Sequence, residues 1–145
     1  MKLLLTLLLF TMPTFANEYL ITVESNHSVE DTANNFANLV EQKGLRLFAR
    51  IDHAQNAAAV DLELKPTEVI LFGNPLAGTA LMKCAETVAI DLPQKVLVRE
   101  NDDGKVLLSY SNPAFMKELH AIEGCDPVLE KITGLLANLA EAATN

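Results

Sequence analysis

The chain has 145 residues, of which 50% are hydrophobic and 21% are charged, and its formal net charge at pH 7 is -8. This length corresponds to one domain that is large enough to bury a core. An acidic surface without a cluster of lysines and arginines repels phosphate backbones, so the composition argues against a nucleic-acid partner.

The N-terminus has the pattern of a secretory signal peptide. Lys2 provides the positive start, residues 3–12 form a short apolar segment interrupted by threonine, and residues 14–16 place small side chains at the positions that signal peptidase recognises. The apolar segment is too short to span a bilayer, and the alternative is a buried N-terminal helix. We expect cleavage after residue 16 and a single domain at 17–145.

Cleavage would remove one of the 11 basic residues, so the mature chain would carry 10 basic and 19 acidic residues, a net charge of -9. The sequence therefore predicts a periplasmic or secreted protein that does not span a membrane after the leader is removed.

The first predicted elements after the leader are a strand, a helix and a second strand. Residues 18–24 and 45–51 alternate apolar and polar side chains, as half-buried strands do. Ser28 and Asp31 form the capping pattern of a helix start, and Gly44 provides its stop. The apolar face of this helix consists of Val29, Ala33, Phe36 and Val40.

Most of the remaining chain is predicted as strands joined by short turns. These strands are expected at residues 60–64, 69–72, 88–92, 95–99 and 105–110. The Asp103-Gly104 pair predicts a hairpin between the last two. Two helices follow, beginning at Pro113 and Pro127. This order indicates an α+β fold in which an antiparallel sheet carries helices on one face.

Three asparagine or aspartate residues directly precede a proline: Asn74, Asn112 and Asp126. Proline at the first helical position loses no hydrogen bond, and the preceding side chain accepts from the free amides of the first turn. Each pair therefore predicts a helix start with a side-chain cap.

The stretch FGNPLAGTALM, residues 72–82, contains the first of these pairs and two further features. Gly78 costs a helix about 1 kcal/mol relative to alanine, and Thr79 beside it is a poor helix former. A small residue allows a ligand to approach closely, and a helix N-terminus attracts anions. The stretch is either a structural corner alone or a corner with a ligand site.

His53 is the best candidate for an acid or base, since imidazole changes charge near neutral pH. It follows Asp52 in a predicted polar connection at 52–56, where a simple strand-end turn is the alternative. Together with His27 and His120 it is too scattered to indicate a metal site. We identify no nucleophile motif, and we predict no cofactor or metal.

Cys84 and Cys125 are the two cysteines of the chain. In an oxidising compartment a disulfide between them would close a loop of about 40 residues and contribute roughly 4 kcal/mol. The spacing is not that of a CxxC redox motif. The sequence leaves open whether the two cysteines are paired or lie apart.

Four segments of the sequence resemble the family catalogued as domain of unknown function 302. They are residues 48–54 (FARIDHA), residues 71–75 (LFGNP) with Gly78-Thr79 and Leu81-Met82, residues 91–98 (DLPQKVLV), and Ser109-Tyr110 with Pro113 and His120. Gln94 stands where leucine is usual, and the cysteines lie outside the pattern, so the family does not support the disulfide. The resemblance implies a fold similar to the TATA-box-binding-protein class, in the order β-α-β4-α, and no established activity.

Two functional hypotheses follow. The first is a non-enzymatic domain that binds a small-molecule ligand, or associates with itself as a homodimer, through a pocket near the FGNP corner. The second is a hydrolase-like or lyase-like enzyme that uses His53 as general base. The candidate pocket residues are Asp52, His53, Phe72, Asn74, Thr79 and Tyr110.

Overall fold

The computed structural model describes residues 19–145, and the predicted leader lies outside them. These residues form one antiparallel sheet in the strand order β1-β5-β4-β3-β2. The strands are β1 (Leu20–Ser25), β2 (Arg46–Asp52), β3 (Thr67–Gly73), β4 (Gln94–Glu100) and β5 (Val106–Ser111). The edges of the sheet are therefore β1 and β2.

Five α-helices accompany the sheet in the described part of the chain. They are α1 (Val29–Gln42), α2 (His53–Ala58), α3 (Pro75–Cys84), α4 (Pro113–Leu119) and α5 (Asp126–Thr144). A short 3-10 turn, Glu86–Ile90, joins α3 to β4. The predicted α+β fold and its antiparallel sheet are confirmed. Within residues 19–145 we find no helix that is both long and apolar enough to cross a membrane.

The main core lies between one face of the sheet and helices α1 and α5. Alternate residues of the three central strands point into it, and Phe36 of α1 packs edge to face against Phe72 of β3 with ring centroids 5.0 Å apart. Val40 of α1 and Leu139 of α5 are also buried there. The apolar faces of α1 and α5 together cover this face of the sheet.

Helix caps follow the prediction at three of four sites. Ser28 accepts a hydrogen bond from the Asp31 amide, Asn74 accepts from the Leu76 and Ala77 amides, and Asn112 accepts from the Ala114 amide.

The predicted cap at Asp126 is wrong. Asp126 is already the first residue of α5, and Cys125, in the cap position, makes no side-chain capping bond. The Asp126 carboxylate pairs instead with Lys117 of α4, so it connects two helices rather than capping the start of one.

The predicted strand at 60–64 is wrong. This segment forms a turn and an irregular connection, and Asp61 adopts a left-handed conformation with φ of 58° that ends extended structure. Its three apolar side chains are exposed: Val60, Leu62 and Leu64. The apolar and polar side chains of this segment alternate as in a strand, but no strand of the sheet lies beside it.

The predicted strand at 88–92 is also wrong, because most of this segment lies in the 3-10 turn Glu86–Ile90. Val88 is buried while Ile90 is 80% exposed. In a strand these two side chains would lie on the same face, so their different exposure fits a tight turn. Residues 52–56, predicted as a polar connection, instead contain the start of α2, and Asp52 caps this helix by accepting from the Gln55 amide.

A second, smaller core lies under α3, the 3-10 turn, α4 and the start of α5. A disulfide joins Cys84, the last residue of α3, to Cys125, which precedes α5, with the Cα atoms 6.3 Å apart. Buried side chains surround it: Leu81, Val88, Met116, Ile122 and Leu129. The bond therefore joins two helices that are remote in sequence.

Candidate functional site

A cavity of about 440 Å³ opens where the FGNP corner meets the end of the sheet. Its walls come from α3, from α5, and from the ends of β2, β3 and β4. We call it the FGNP cavity. These elements meet because the corner after β3 turns α3 toward α5.

The floor of the FGNP cavity is buried. Phe72 and Leu136 are each 1% exposed, and Leu81 is fully buried. Phe72 faces Gln94 across the ladder between β3 and β4, so the two side chains lie side by side on the core face of the sheet. The floor is thus apolar except for one amide.

The rim of the cavity is formed by exposed side chains of the same lining. A bulge between Leu47 and Ala49 interrupts the pairing of β2 with β3, and bulges re-aim side chains. Phe48, within this bulge, is 44% exposed, and the Arg46 guanidinium lies over its ring at 5.0 Å. Phe48 is also the nearest side chain to Gly73, where an added Cβ would lie 3.8 Å from its Cε2 atom.

Gln94 is the unusual member of the lining. It is 8% exposed, and its Nε2 group is buried without a hydrogen-bond partner among the described residues. Buried polar groups in folded proteins are nearly always paired, and an unpaired one is costly. The resemblance had marked Gln94 as a departure from leucine, but sequence reasoning did not place it in the site.

Three of the predicted pocket residues do line the FGNP cavity: Phe72 in the floor and Asn74 and Thr79 at the exposed side. Asn74 is occupied as the cap of α3. Gly78, singled out as a place of close approach, also lines the cavity. An added Cβ there would lie 3.6 Å from Leu92 Cδ1, which is ordinary contact. Packing of the protein against itself therefore does not require this glycine.

Two of the predicted pocket residues, Asp52 and His53, lie away from the FGNP cavity. Asp52 pairs with Glu68 at the start of β3, whereas the FGNP corner follows the end of that strand. Six steps along an extended strand separate the two ends by about 20 Å. His53 is exposed at the start of α2. It cannot act on a molecule held at Asn74.

Comparison with known proteins assigns the family. The model of the family described as "Domain of unknown function DUF302" matches residues 21–139. The chain belongs to the DUF302 family. A crystal structure of an uncharacterised conserved DUF302 protein from Bacillus stearothermophilus superposes with a TM-score of 0.77 at 15% identity, covering 88% of this chain and 98% of that one. The shared feature at this identity is the fold.

Curated relatives of this DUF302 protein come from Brucella. A protein of Brucella suis named fluoride-specific ion channel FluC 1 is 40% identical over 111 residues, which are 77% of this chain and 44% of that protein. The Brucella abortus protein of the same name is also 40% identical over 111 residues, or 41% of its length. The chain spans less than half the length of these relatives.

A histidine bridge lies near the FGNP cavity and was missed at the sequence level. His120 at the end of α4 contacts Asp91 Oδ2 through Nε2 at 2.6 Å and Thr87 Oγ1 through Nδ1 at 3.1 Å. Its side chain is 7% exposed. Both ring nitrogens are engaged, so the ring holds the 3-10 turn, whose Ala89 lines the cavity, against α4. The sequence marked His120 only as one of the residues that carry the family resemblance, and it gave no sign of the contacts with Asp91 and Thr87.

Within residues 19–145, no three histidine, cysteine, aspartate or glutamate side chains come together in a way that would hold a metal ion.

Tyr110 lies in the main core of this DUF302 protein, 4% exposed, rather than in the FGNP cavity. Burial raises the pKa of its phenol above the ordinary value of 10.0. The unfolded chain therefore loses this proton at a lower pH than the folded chain. The stability that the protonated Tyr110 phenol contributes to the folded protein is fully present below pH 10.0, and it is lost as the pH rises through the pKa of this phenol in the folded chain.

We therefore expect Tyr110→Phe to flatten part of the alkaline loss of stability. Urea unfolding at a series of pH values between about pH 8 and about pH 11 gives the free energy of unfolding of each protein, and the difference between wild type and variant is followed with pH. The difference should be constant up to about pH 9 and then shift in favour of Tyr110→Phe. A difference that stays constant across the range would contradict the assignment.

Proposed function

We propose that this DUF302 protein binds a small apolar molecule in the FGNP cavity. The observation that carries the proposal is a cavity of about 440 Å³ with a buried apolar floor and an exposed rim. Ligand sites are typically concave, mostly apolar and between about 300 and 1,000 Å³, with a few placed polar groups. The cavity has each of these properties.

Gly78 supports the proposal independently. Alanine would fit at this position with ordinary contacts and would stabilise α3 by about 1 kcal/mol. A glycine in the wall, where neither a turn nor self-packing requires one, keeps space open beside Leu92. A ligand that reaches into that space accounts for the cost.

We also propose that the protein acts outside the cytoplasm. Two features support this: the signal-peptide pattern of residues 1–16, and the pairing of Cys84 with Cys125. Disulfides persist in secreted and periplasmic proteins and are rare where thiols are kept reduced.

Fluoride, which appears in the name of the Brucella relatives, is a poor match for the FGNP cavity. A small anion held away from water needs several donors or a positive charge. The described floor offers one amide, and Arg46 is exposed at the rim. We therefore favour an apolar ligand over an anion at this site.

The test uses the neutral fluorescent probe N-phenyl-1-naphthylamine, whose emission rises in apolar surroundings. We expect wild type to bind the probe and Gly78→Leu to lose affinity by at least about tenfold, because the new side chain fills the cavity beside Leu92. Fluorescence titration measures both.

Gly134→Leu is the matched control. Gly134 is also a glycine within a helix, but an added Cβ there meets nothing within 4 Å, and it lies outside the FGNP cavity. The same substitution gives the same gain in helix propensity without touching the site. Wild type that binds no probe, or a Gly78→Leu variant that binds as well as Gly134→Leu, would overturn the proposal.

A further inference from the structure

Gln94 lines the FGNP cavity, and its side chain carries a hydrogen-bond donor that the protein itself does not use. Gln94 opens strand β4 beside Phe72, and its neighbour Lys95 points outward to the Asp91 and Pro93 carbonyls. Gln94 is only 8% exposed, and its Nε2 group has no hydrogen-bond partner among the described residues. A buried amide in this state is costly to the free protein and is relieved when a partner arrives.

We infer that the ligand of this cavity is an apolar molecule with a neutral hydrogen-bond acceptor, such as a ketone or an ester, which receives a bond from Gln94 Nε2. The inference rests on the proposed function and names its ligand class. An amide nitrogen donates and does not accept, so its partner must be an acceptor. The apolar floor around it receives the body of the ligand.

The acceptor is neutral because the floor carries no compensating charge. The one charged side chain among the described lining residues is Arg46, and it lies exposed at the rim over Phe48. A carboxylate buried against a single neutral amide would lose far more hydration than one hydrogen bond returns. A carbonyl oxygen loses little and gains a partner in an apolar setting, where hydrogen bonds are strengthened.

Three probes of nearly the same shape separate the possibilities. Benzophenone carries a carbonyl acceptor, diphenylmethane carries neither donor nor acceptor, and diphenylamine carries a donor. Each displaces N-phenyl-1-naphthylamine from wild type and from Gln94→Leu, which keeps the size of the side chain and removes the amide. The measured quantity is the ratio of affinities within each protein, which cancels differences in probe hydrophobicity.

We expect the benzophenone-to-diphenylmethane ratio to fall by about threefold to tenfold in Gln94→Leu, with the diphenylamine-to-diphenylmethane ratio unchanged or raised. Equal benzophenone ratios in the two proteins, or a ratio that falls for diphenylamine instead, would overturn the inference. Failure of all three probes to displace the dye from a cavity that Gly78→Leu blocks would also overturn it, while leaving the proposed function intact.

A second measurement covers the case in which Gln94→Leu does not fold. In wild type labelled with ¹⁵N, the side-chain amide proton resonances of Gln94 should lie further downfield with benzophenone bound than with diphenylmethane bound, because only the ketone accepts a hydrogen bond. Equal shifts with both probes would count against the hydrogen bond.

Discussion

Replacing Cys84 and Cys125 with alanine is expected to lower the free energy of unfolding by about 4 kcal/mol. The disulfide closes a loop of 41 residues and so removes many conformations from the unfolded chain. A domain of this size has about 5 to 15 kcal/mol of stability in total, so the loss is a large fraction. Urea unfolding of the oxidised wild type and the double variant measures it.

Reductant provides the control for this prediction. Dithiothreitol should destabilise wild type by a similar amount and leave the double variant unchanged, because the variant has no bond to reduce. Single replacement of either cysteine should cost nearly as much as both. A double variant within about 1 kcal/mol of wild type would show that the pairing contributes little in solution.

Phe72→Ala is expected to lower the free energy of unfolding by about 3 to 5 kcal/mol and also to weaken probe binding. Phe72 is 1% exposed, packs edge to face against Phe36, and forms part of the cavity floor. The substitution therefore removes both core packing and ligand contact. Phe72→Leu, which keeps more volume, should lose less of each.

Phe36→Ala separates the two effects. Phe36 supplies the other half of the aromatic pair and is equally buried, but it does not line the FGNP cavity. We expect a comparable loss of stability with probe affinity close to wild type, measured under conditions where both variants are folded. Equal losses of probe affinity in the two variants would mean that Phe72 acts through general packing alone.

Local patterns in the sequence were sufficient to predict most of the fold. Alternation predicted β1 and β2, the Asp103-Gly104 turn predicted the hairpin of β4 and β5, and the cap at Ser28 predicted the start of α1. The segment 60–64 alternates just as well, but no strand lies beside it and Asp61 turns the chain. The segment around Val88 is short and apolar, and such runs do not distinguish a strand from a tight helical turn.

The FGNP cavity was only partly predictable. The corner, its cap at Asn74 and the misplaced glycine at Gly78 were visible in the sequence, and all three lie in its wall. Ile132 and Leu135 of α5 complete the wall from more than 50 residues away, and only tertiary packing brings them there. The same remoteness explains why Asp52 and His53 were wrongly grouped with the corner: strand direction, rather than order in the chain, separates them.

The most direct test of this account is a crystal structure of the protein with benzophenone bound. We predict that the ketone lies in the FGNP cavity between Phe72 and α5, with its carbonyl oxygen about 3 Å from Gln94 Nε2. Benzophenone bound elsewhere, or bound in the cavity with its carbonyl turned away from Gln94, would contradict the account.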